Sequence, residues 1–116
     1  MVYIGVALFG LGRAGSIHFK NLVKNVRIDL KYLVEENVAV AEQFVVDYRL
    51  EDTAVLCSKD LDIVIKDTTV TACVITTPTE THEGIVLACL EAGKAVFCEK
   101  PLANTVDAIG KTIRWI

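Results

Sequence analysis

The sequence predicts an α/β fold: a doubly wound parallel sheet with helices on both faces. Three observations predict it. Short apolar runs alternate with longer amphipathic stretches along the whole chain. The runs are apolar on successive residues, as strands covered on both sides must be. A Gly-x-Gly-x-x-Gly turn joins the first run to the first amphipathic stretch. The 116 residues suit one domain with one core, written here as residues 1–116.

Taken in order, Tyr3 to Phe9 is a continuous apolar run and reads as a central strand. A helix follows from about Arg13 to Asn25, with Phe19, Leu22, Val23 and Val26 as its inner stripe. The second strand, Ile28 to Val34, alternates, so that Ile28, Leu30, Tyr32 and Val34 are expected on one side. The second helix, about Val38 to Tyr48, carries the stripe Ala41, Phe44, Val45 and Tyr48. Ala54 to Cys57 is a short third strand, and Ser58 is expected to cap a short helix reaching about Lys66. Thr71 to Thr76 is the fourth strand. Thr77, Pro78 and Glu80 then fit the N-cap, N1 and N3 positions of a fourth helix, whose stripe is Ile85, Ala88, Cys89 and Ala92 and whose stop is Gly93. Lys94 to Cys98 is the fifth strand, and Asn104 caps a last helix with Val106, Ile109, Ile113 and Ile116 on one face. Right-handed connections through these elements give the strand order 3-2-1-4-5. A full six-stranded unit needs one more strand, so the fold is expected to be truncated before it.

Composition excludes several classes. A net charge of −3 with no basic cluster argues against nucleic acid and anionic membrane as partners. Met1 to Leu11 is apolar, but it lacks a basic start and is interrupted by Gly5 and Gly10, so it does not read as a signal peptide. No apolar run approaches the ~20 residues of a membrane helix. The four cysteines, Cys57, Cys73, Cys89 and Cys98, contain no Cys-x-x-Cys pair and read as reduced, buried thiols of a cytoplasmic protein. The two histidines are not spaced with them as zinc ligands, and no metal is expected.

The chemistry begins at Gly10-Leu11-Gly12-Arg13-Ala14-Gly15. In the dinucleotide fingerprint the first glycine permits the tight turn and the second lets backbone approach a pyrophosphate. The third lets the helix pack against the strand. The helix N-terminus then offers N–H groups and a positive dipole end to the phosphates, with Arg13 adding charge at the mouth. Glu35 lies at the end of the second strand, 20 residues after Gly15, where a carboxylate accepts the adenosine ribose hydroxyls. Glu36 follows, and no Arg or Lys lies between Val34 and Gln43. Two carboxylates repel a ribose 2′-phosphate, so NAD is expected over NADP.

Two further stretches, Val74-Ile75-Thr76-Thr77-Pro78-Thr79-Glu80-Thr81-His82 and Ala92-Gly93-Lys94-Ala95-Val96-Phe97-Cys98-Glu99-Lys100-Pro101-Leu102-Ala103, make the picture more specific. With the glycine loop and Gly15-x-x-His18, they closely resemble the glucose–fructose oxidoreductase and inositol dehydrogenase family, from Ile4 to the end of the chain. The resemblance implies a Rossmann-type NAD-binding domain of an oxidoreductase that moves a hydride between a sugar or polyol carbon and nicotinamide. It implies that Thr76, Thr77, Pro78 and Thr79 contact the cofactor's ribose and pyrophosphate, and that Glu99 and Lys100 sit near the nicotinamide ribose. Lys100 matches the family's active-site lysine, which hydrogen-bonds the reacting hydroxyl, and Pro101 fixes the turn that aims it. General chemistry agrees, because a lysine near another cation or partly buried lowers its pKa readily and can relay the alcohol proton. Taken without the resemblance, Lys100 reads as a surface lysine at a strand end.

His18 reads as a structural hydrogen-bonding group one turn inside its helix. For His82, a local hydrogen bond and a cofactor-side contact stay equally open. Cys98, beside Glu99, reads as strand burial rather than redox chemistry. The family's second domain supplies most of the substrate pocket, the acid–base histidine and the usual oligomer interface. The chain alone is therefore expected to bind NAD(H) without turning over substrate, and Trp115, Ile113 and Ile116 are expected to give a patch for self-association. Two alternatives remain. One is a non-catalytic dinucleotide-binding module. The other is a reductase similar to the bilin-reducing branch, which the chain resembles around Gly12-Arg13-Ala14-Gly15-Ser16 but from which Glu99-Lys100-Pro101 sets it apart. A methyltransferase on the same sheet has no use for that lysine and ranks last.

Overall fold

A computed structural model of the chain describes residues 3–77 and 79–98. Its centre is β1 (Ile4–Phe9), in which five successive residues are buried. β1 pairs in parallel with β2 (Ile28–Val34) on one side and with β4 (Ala72–Ile75) on the other. β3 (Ala54–Leu56) and β5 (Ala95–Cys98) complete a five-stranded parallel sheet in the order 3-2-1-4-5. The expected order and every described strand are borne out.

Because a strand alternates its side chains, β1 feeds two separate cores. Val6 and Leu8 pack with Phe19 of α1 (Arg13–Lys24) and Ala41 of α2 (Val38–Asp47). Ala7 and Phe9 pack on the opposite face with Val64 of α3 (Leu61–Lys66) and with Val86 and Cys89 of α4 (Thr79–Glu91). On the first face Phe19 meets Phe44 and Tyr48 edge-on, each with ring centroids 4.8 Å apart. Gly93 ends α4 with a positive φ of 78°. The Lys94 amide donates to the Cys89 carbonyl and the Gly93 amide to that of Leu90, the paired bonds of a Schellman motif.

Four expectations are corrected. Val26 is 77% exposed: α1 has ended by then, so the residue falls in the turn and off the helical stripe. β2 does not keep one alternation. Its pairing with β1 steps from Val6↔Leu30 to Ala7↔Tyr32, leaving Lys31 as an extra residue, a β-bulge. Ile28, Leu30 and Leu33 therefore pack with α1 and α2, while Tyr32 and Val34 pack on the other side. The helix after β3 starts as a single 3-10 turn, Ser58–Asp60, and Ser58 is not its cap. The Cys57 amide and thiol both donate to Asp60 Oδ2, at 3.3 and 3.0 Å. Finally, the inward face of α4 is Ile85, Val86, Cys89 and Leu90, with Ala92 exposed.

Cys73 and Cys89 are fully buried and Cys57 and Cys98 half-buried; no disulfide joins them. A hydrogen bond to Cys89, then burial, pushes the Cys73 thiol up, so that it stays protonated in the core. The expected capping box through Pro78 and Glu80, the Glu99-Lys100-Pro101 motif, the helix after Asn104 and its self-association patch lie outside the described residues, as does the side chain of His82. Among the described residues no helix is long and apolar enough to cross a membrane.

Candidate functional site: a cleft at the carboxyl edge of the sheet

The strand register brings the sequence motifs to one edge. Phe9 is level with Val34 and with Ile75, Val34 with Leu56, and Ile75 with Cys98. All five strands thus end in one row, and the next residue of four of them, Gly10, Glu35, Cys57 and Thr76, leaves from that row. Backbone bonds extend the ladders by one step: the Gly10 amide donates to Val34 O, the Glu35 amide to Leu56 O and the Thr76 amide to Phe9 O.

The glycine loop is built around two close approaches. Gly10 has φ 93°, and a side chain there would press on the Thr76 backbone at 2.9 Å. At Gly15 a Cβ would lie 2.1 Å from the Gly10 carbonyl oxygen and 2.6 Å from Thr76 Oγ1. Only glycine lets α1 start this close to the turn. Gly12 is different: a Cβ there meets nothing within 4 Å. Its surroundings leave room for a ligand against the backbone, as expected for the fingerprint's second glycine. Gly12 is the N-cap of α1, with no side-chain cap and no acidic residue in the first turn. The first-turn N–H groups at Arg13, Ala14 and Gly15 therefore face outward with a positive dipole end. Arg13 and Ala14 are exposed at the mouth.

Side chains tie this loop to its neighbours. Thr76 Oγ1 sits 2.9 Å from both the Phe9 and the Gly10 carbonyl oxygens, clamping the end of β4 to the turn after β1. Ser16 Oγ donates to Gly12 O at 2.8 Å. Glu35 spans the other side: Oε1 accepts the Leu11 amide at 2.8 Å and Oε2 the Asn37 amide at 2.7 Å. Each oxygen keeps a second lone pair for a hydroxyl donor. Between them lies a cleft of about 600 Å³. Gly10, Leu11 and Gly12 form one wall and Glu35 and Glu36 an acidic corner. Leu61 and Ile85 give an apolar side next to Ser58, and Thr76 and Thr77 close the end.

The glycine loop, Glu35, Thr76 and Thr77 thus line one cleft, and five of its lining residues, Phe9, Val34, Ser58, Leu61 and Ile85, were not anticipated. Ser58 had a signal only in its place just past β3, one residue beyond Cys57, which stands level with Glu35. Ile85 had only its place on a helical stripe, which does not distinguish a cleft wall from a core, and Leu61 had no signal of its own. His18 is half-buried outside the cleft, its ring edge-on to Phe97 with centroids 5.1 Å apart. Lys94, from the second motif, lies at the other edge of the sheet. It is 6% exposed and donates from Nζ to the carbonyls of Asp67 and Val70, at 2.9 and 2.6 Å. Among the described residues no cluster of three or more His, Cys, Asp and Glu is placed to hold a metal.

The uncapped helix start, the open space at Gly12 and the Glu35 carboxylate across one cleft fit a dinucleotide. Comparison with known proteins agrees. A family model described as an oxidoreductase family with an NAD-binding Rossmann fold matches residues 4–115. A myo-inositol 2-dehydrogenase of Thermotoga maritima is 32% identical, over 93% of this chain and 31% of its own length. The scyllo-inositol 2-dehydrogenase (NAD(+)) of Bacillus subtilis is 35% identical, over 87% of this chain and 29% of its own. Among solved structures, GenD2 from gentamicin A biosynthesis in complex with NAD superposes with a TM-score of 0.84 at 28% identity, covering 99% of this chain and 32% of that one. Apo scyllo-inositol dehydrogenase from Lactobacillus casei gives 0.80 at 29%, covering 99% and 33%. The chain thus spans about a third of the length of the relatives it matches. It belongs to the NAD-binding Rossmann-fold oxidoreductase family that includes the inositol dehydrogenases.

Proposed function

We propose that residues 1–116 form the cofactor domain of an NAD-dependent dehydrogenase acting on a CH–OH group of a sugar or polyol, inositol-like in class. The observation that carries the cofactor's place is the Glu35 bridge: one carboxylate ends β2 and holds the Leu11 amide of the glycine loop. Phosphate and ribose sites are thereby built as one unit.

In this reading Gly10, Leu11, Gly12, Arg13, Ala14 and Gly15 cradle the pyrophosphate, and Glu35 accepts the adenosine ribose hydroxyls. Glu36, beside it on the cleft, adds a second negative charge that disfavours a 2′-phosphate, so NAD is bound in preference to NADP. Thr76 aims the turn, and Thr77, Pro78, Thr79 and His82 line the ribose and pyrophosphate from the β4 side. Bound NAD accepts the hydride. Glu99 and Lys100 follow the carboxyl end of β5 in sequence. Lys100 holds the reacting hydroxyl by hydrogen bond and takes part in moving its proton. The relatives are about three times as long, and in this reading residues outside this stretch complete the substrate pocket. This domain by itself binds cofactor and does not turn over substrate. Four cysteines without a disulfide support a cytoplasmic setting.

The test is calorimetric titration of the chain with NADH and NADPH. NADH should bind more tightly than NADPH. Glu35→Ala should cost NADH about tenfold, near 1.4 kcal/mol, and narrow the preference between the two cofactors. A preference unchanged by Glu35→Ala would assign Glu35 to loop architecture alone.

A further inference from the structure

One peptide group in the glycine loop is held from both sides. It carries the Gly10 carbonyl at one end and the Leu11 N–H at the other, and in a planar trans peptide the two point in opposite directions. The carbonyl oxygen lies 2.9 Å from the hydroxyl of Thr76, which follows β4. The N–H donates at 2.8 Å to Oε1 of Glu35, which follows β2. β1 lies between those two strands, so this one peptide joins three strand ends. The Phe9 carbonyl, also 2.9 Å from the Thr76 hydroxyl, already accepts the Thr76 amide, which leaves the hydroxyl proton for Gly10. Gly15 keeps the space open, since a Cβ there would press on both the Gly10 oxygen and the hydroxyl. Gly10 tolerates either orientation of the peptide, because glycine is at home on both sides of φ 0°. The clamp therefore decides between them. Turned over, the peptide would set the Gly10 oxygen against the Glu35 carboxylate, acceptor against acceptor.

We propose that Thr76 is a positioning residue for cofactor binding. Its hydroxyl fixes the Gly10–Leu11 peptide so that the Leu11 N–H faces Glu35, and through that peptide it sets where the carboxylate stands. This rests on the cofactor reading above and deepens it: the threonine after β4 and the acid after β2 act as one unit across the glycine turn. With the clamp released, the Asn37 amide at Oε2 is the contact left to hold the carboxylate, and Oε1 is free to turn away from the loop.

The test joins amide hydrogen exchange of Leu11, followed by NMR, to calorimetric titration with NADH. Thr76→Val, and Thr76→Ala as a second variant without the hydroxyl, should speed Leu11 exchange about tenfold while the β1 amides keep their rates. Thr76→Ser, which keeps the hydroxyl, should restore slow exchange. NADH affinity should fall about fivefold in Thr76→Val and recover in Thr76→Ser. In a Glu35→Ala chain the clamp has already lost its other end, so adding Thr76→Val should cost less than about twofold more. Unchanged Leu11 exchange in folded Thr76→Val and Thr76→Ala would overturn the proposal. Exchange that quickens alike at Leu11 and along β1 would mark general destabilisation and overturn it too. So would unaltered NADH affinity, or an equal cost of Thr76→Val with and without Glu35. In each of these cases NADH still binds the unsubstituted chain and the cofactor reading stands. Absence of NADH binding to the unsubstituted chain would overturn both.

Discussion

The two edges of the sheet treat their polar groups in opposite ways. At the amino edge, Lys94 is drawn inside and gives its ammonium hydrogens to the carbonyls of Asp67 and Val70. The Asp67 carboxylate in turn accepts Tyr32 Oη at 2.7 Å and both the amide and the hydroxyl of Thr69. At the carboxyl edge, hydrogen bonds hold the loop, but the first turn of α1, the backbone beside Gly12 and the Glu35 carboxylate stay turned to a cleft. One edge spends its donors and acceptors on the chain itself. The other keeps some of them for a ligand. Binding sites in this class of fold fall at the carboxyl edge, and here the contrast is visible at the level of individual hydrogen bonds.

Substitutions at the two edges should therefore separate stability from binding. The largest effect is expected for Gly15→Ala, whose methyl would meet the Gly10 carbonyl oxygen at 2.1 Å. Because α1 must move off the loop, we expect a loss of about 3 kcal/mol in denaturant unfolding together with loss of NADH binding by calorimetry. Lys94→Met at the amino edge should destabilise by about 1–3 kcal/mol, since it leaves the Val70 carbonyl buried without its donor. NADH affinity of the folded protein should stay unchanged. If Lys94→Met weakened NADH binding as much as stability, the two edges would not be independent.

Smaller effects are expected around Asp67. Removing its carboxylate in Asp67→Ala takes away the acceptor of three hydrogen bonds at a half-buried site, and a melting point a few degrees lower is expected, for about 1 kcal/mol. The smallest effect is in pH. Hydrogen bonds from Thr69 and then Tyr32 hold the Asp67 carboxyl at about 2, below its ordinary 3.8. The depressed value means that its contribution is complete above pH 3.8 and is lost as pH falls through about 2. Unfolding followed between pH 4.5 and 2 should show a decline that is shallower in Asp67→Asn. An identical decline in both proteins would assign it to other carboxylates.

Much of this molecule is legible in its sequence because the signals are local. The β1 run, the glycine loop and the bounds of β2 follow from apolar runs and turn residues, and the strand order follows from regular alternation. The roles of Gly10 and Gly15 are legible for the same reason, being demands of backbone geometry at one turn. What escaped depends on partners far along the chain. Lys94 lies in a strand-like stretch, and nothing nearby says that its ammonium will reach carbonyls 24 and 27 residues earlier. Glu35 is placed by its spacing, but its bond to Leu11 needs the register of β1 on β2. The true inner face of α4 differs from the expected one because several small and apolar residues, Ala88 and Ala92 among them, compete for the stripe. The cap at Cys57 escaped because cysteine is rarely considered for that work.

The extra residue in β2 has a consequence for how the chain tolerates insertions and deletions. Lys31 is half-exposed, ion-paired with Asp29 at 3.0 Å, and makes no core contact, so its loss as a side chain should matter little. Its loss as a residue should matter little as well. Without Lys31, Leu30 and Tyr32 become neighbours opposite Val6 and Ala7, and Leu33, Val34 and Glu35 keep their faces and their level on β1. A library of single-residue deletions should thus find β2 more forgiving at Lys31 than at the positions on either side of it, where a deletion costs a core side chain or its face. The Glu35 carboxylate keeps its level through a register that steps over one residue four positions before it.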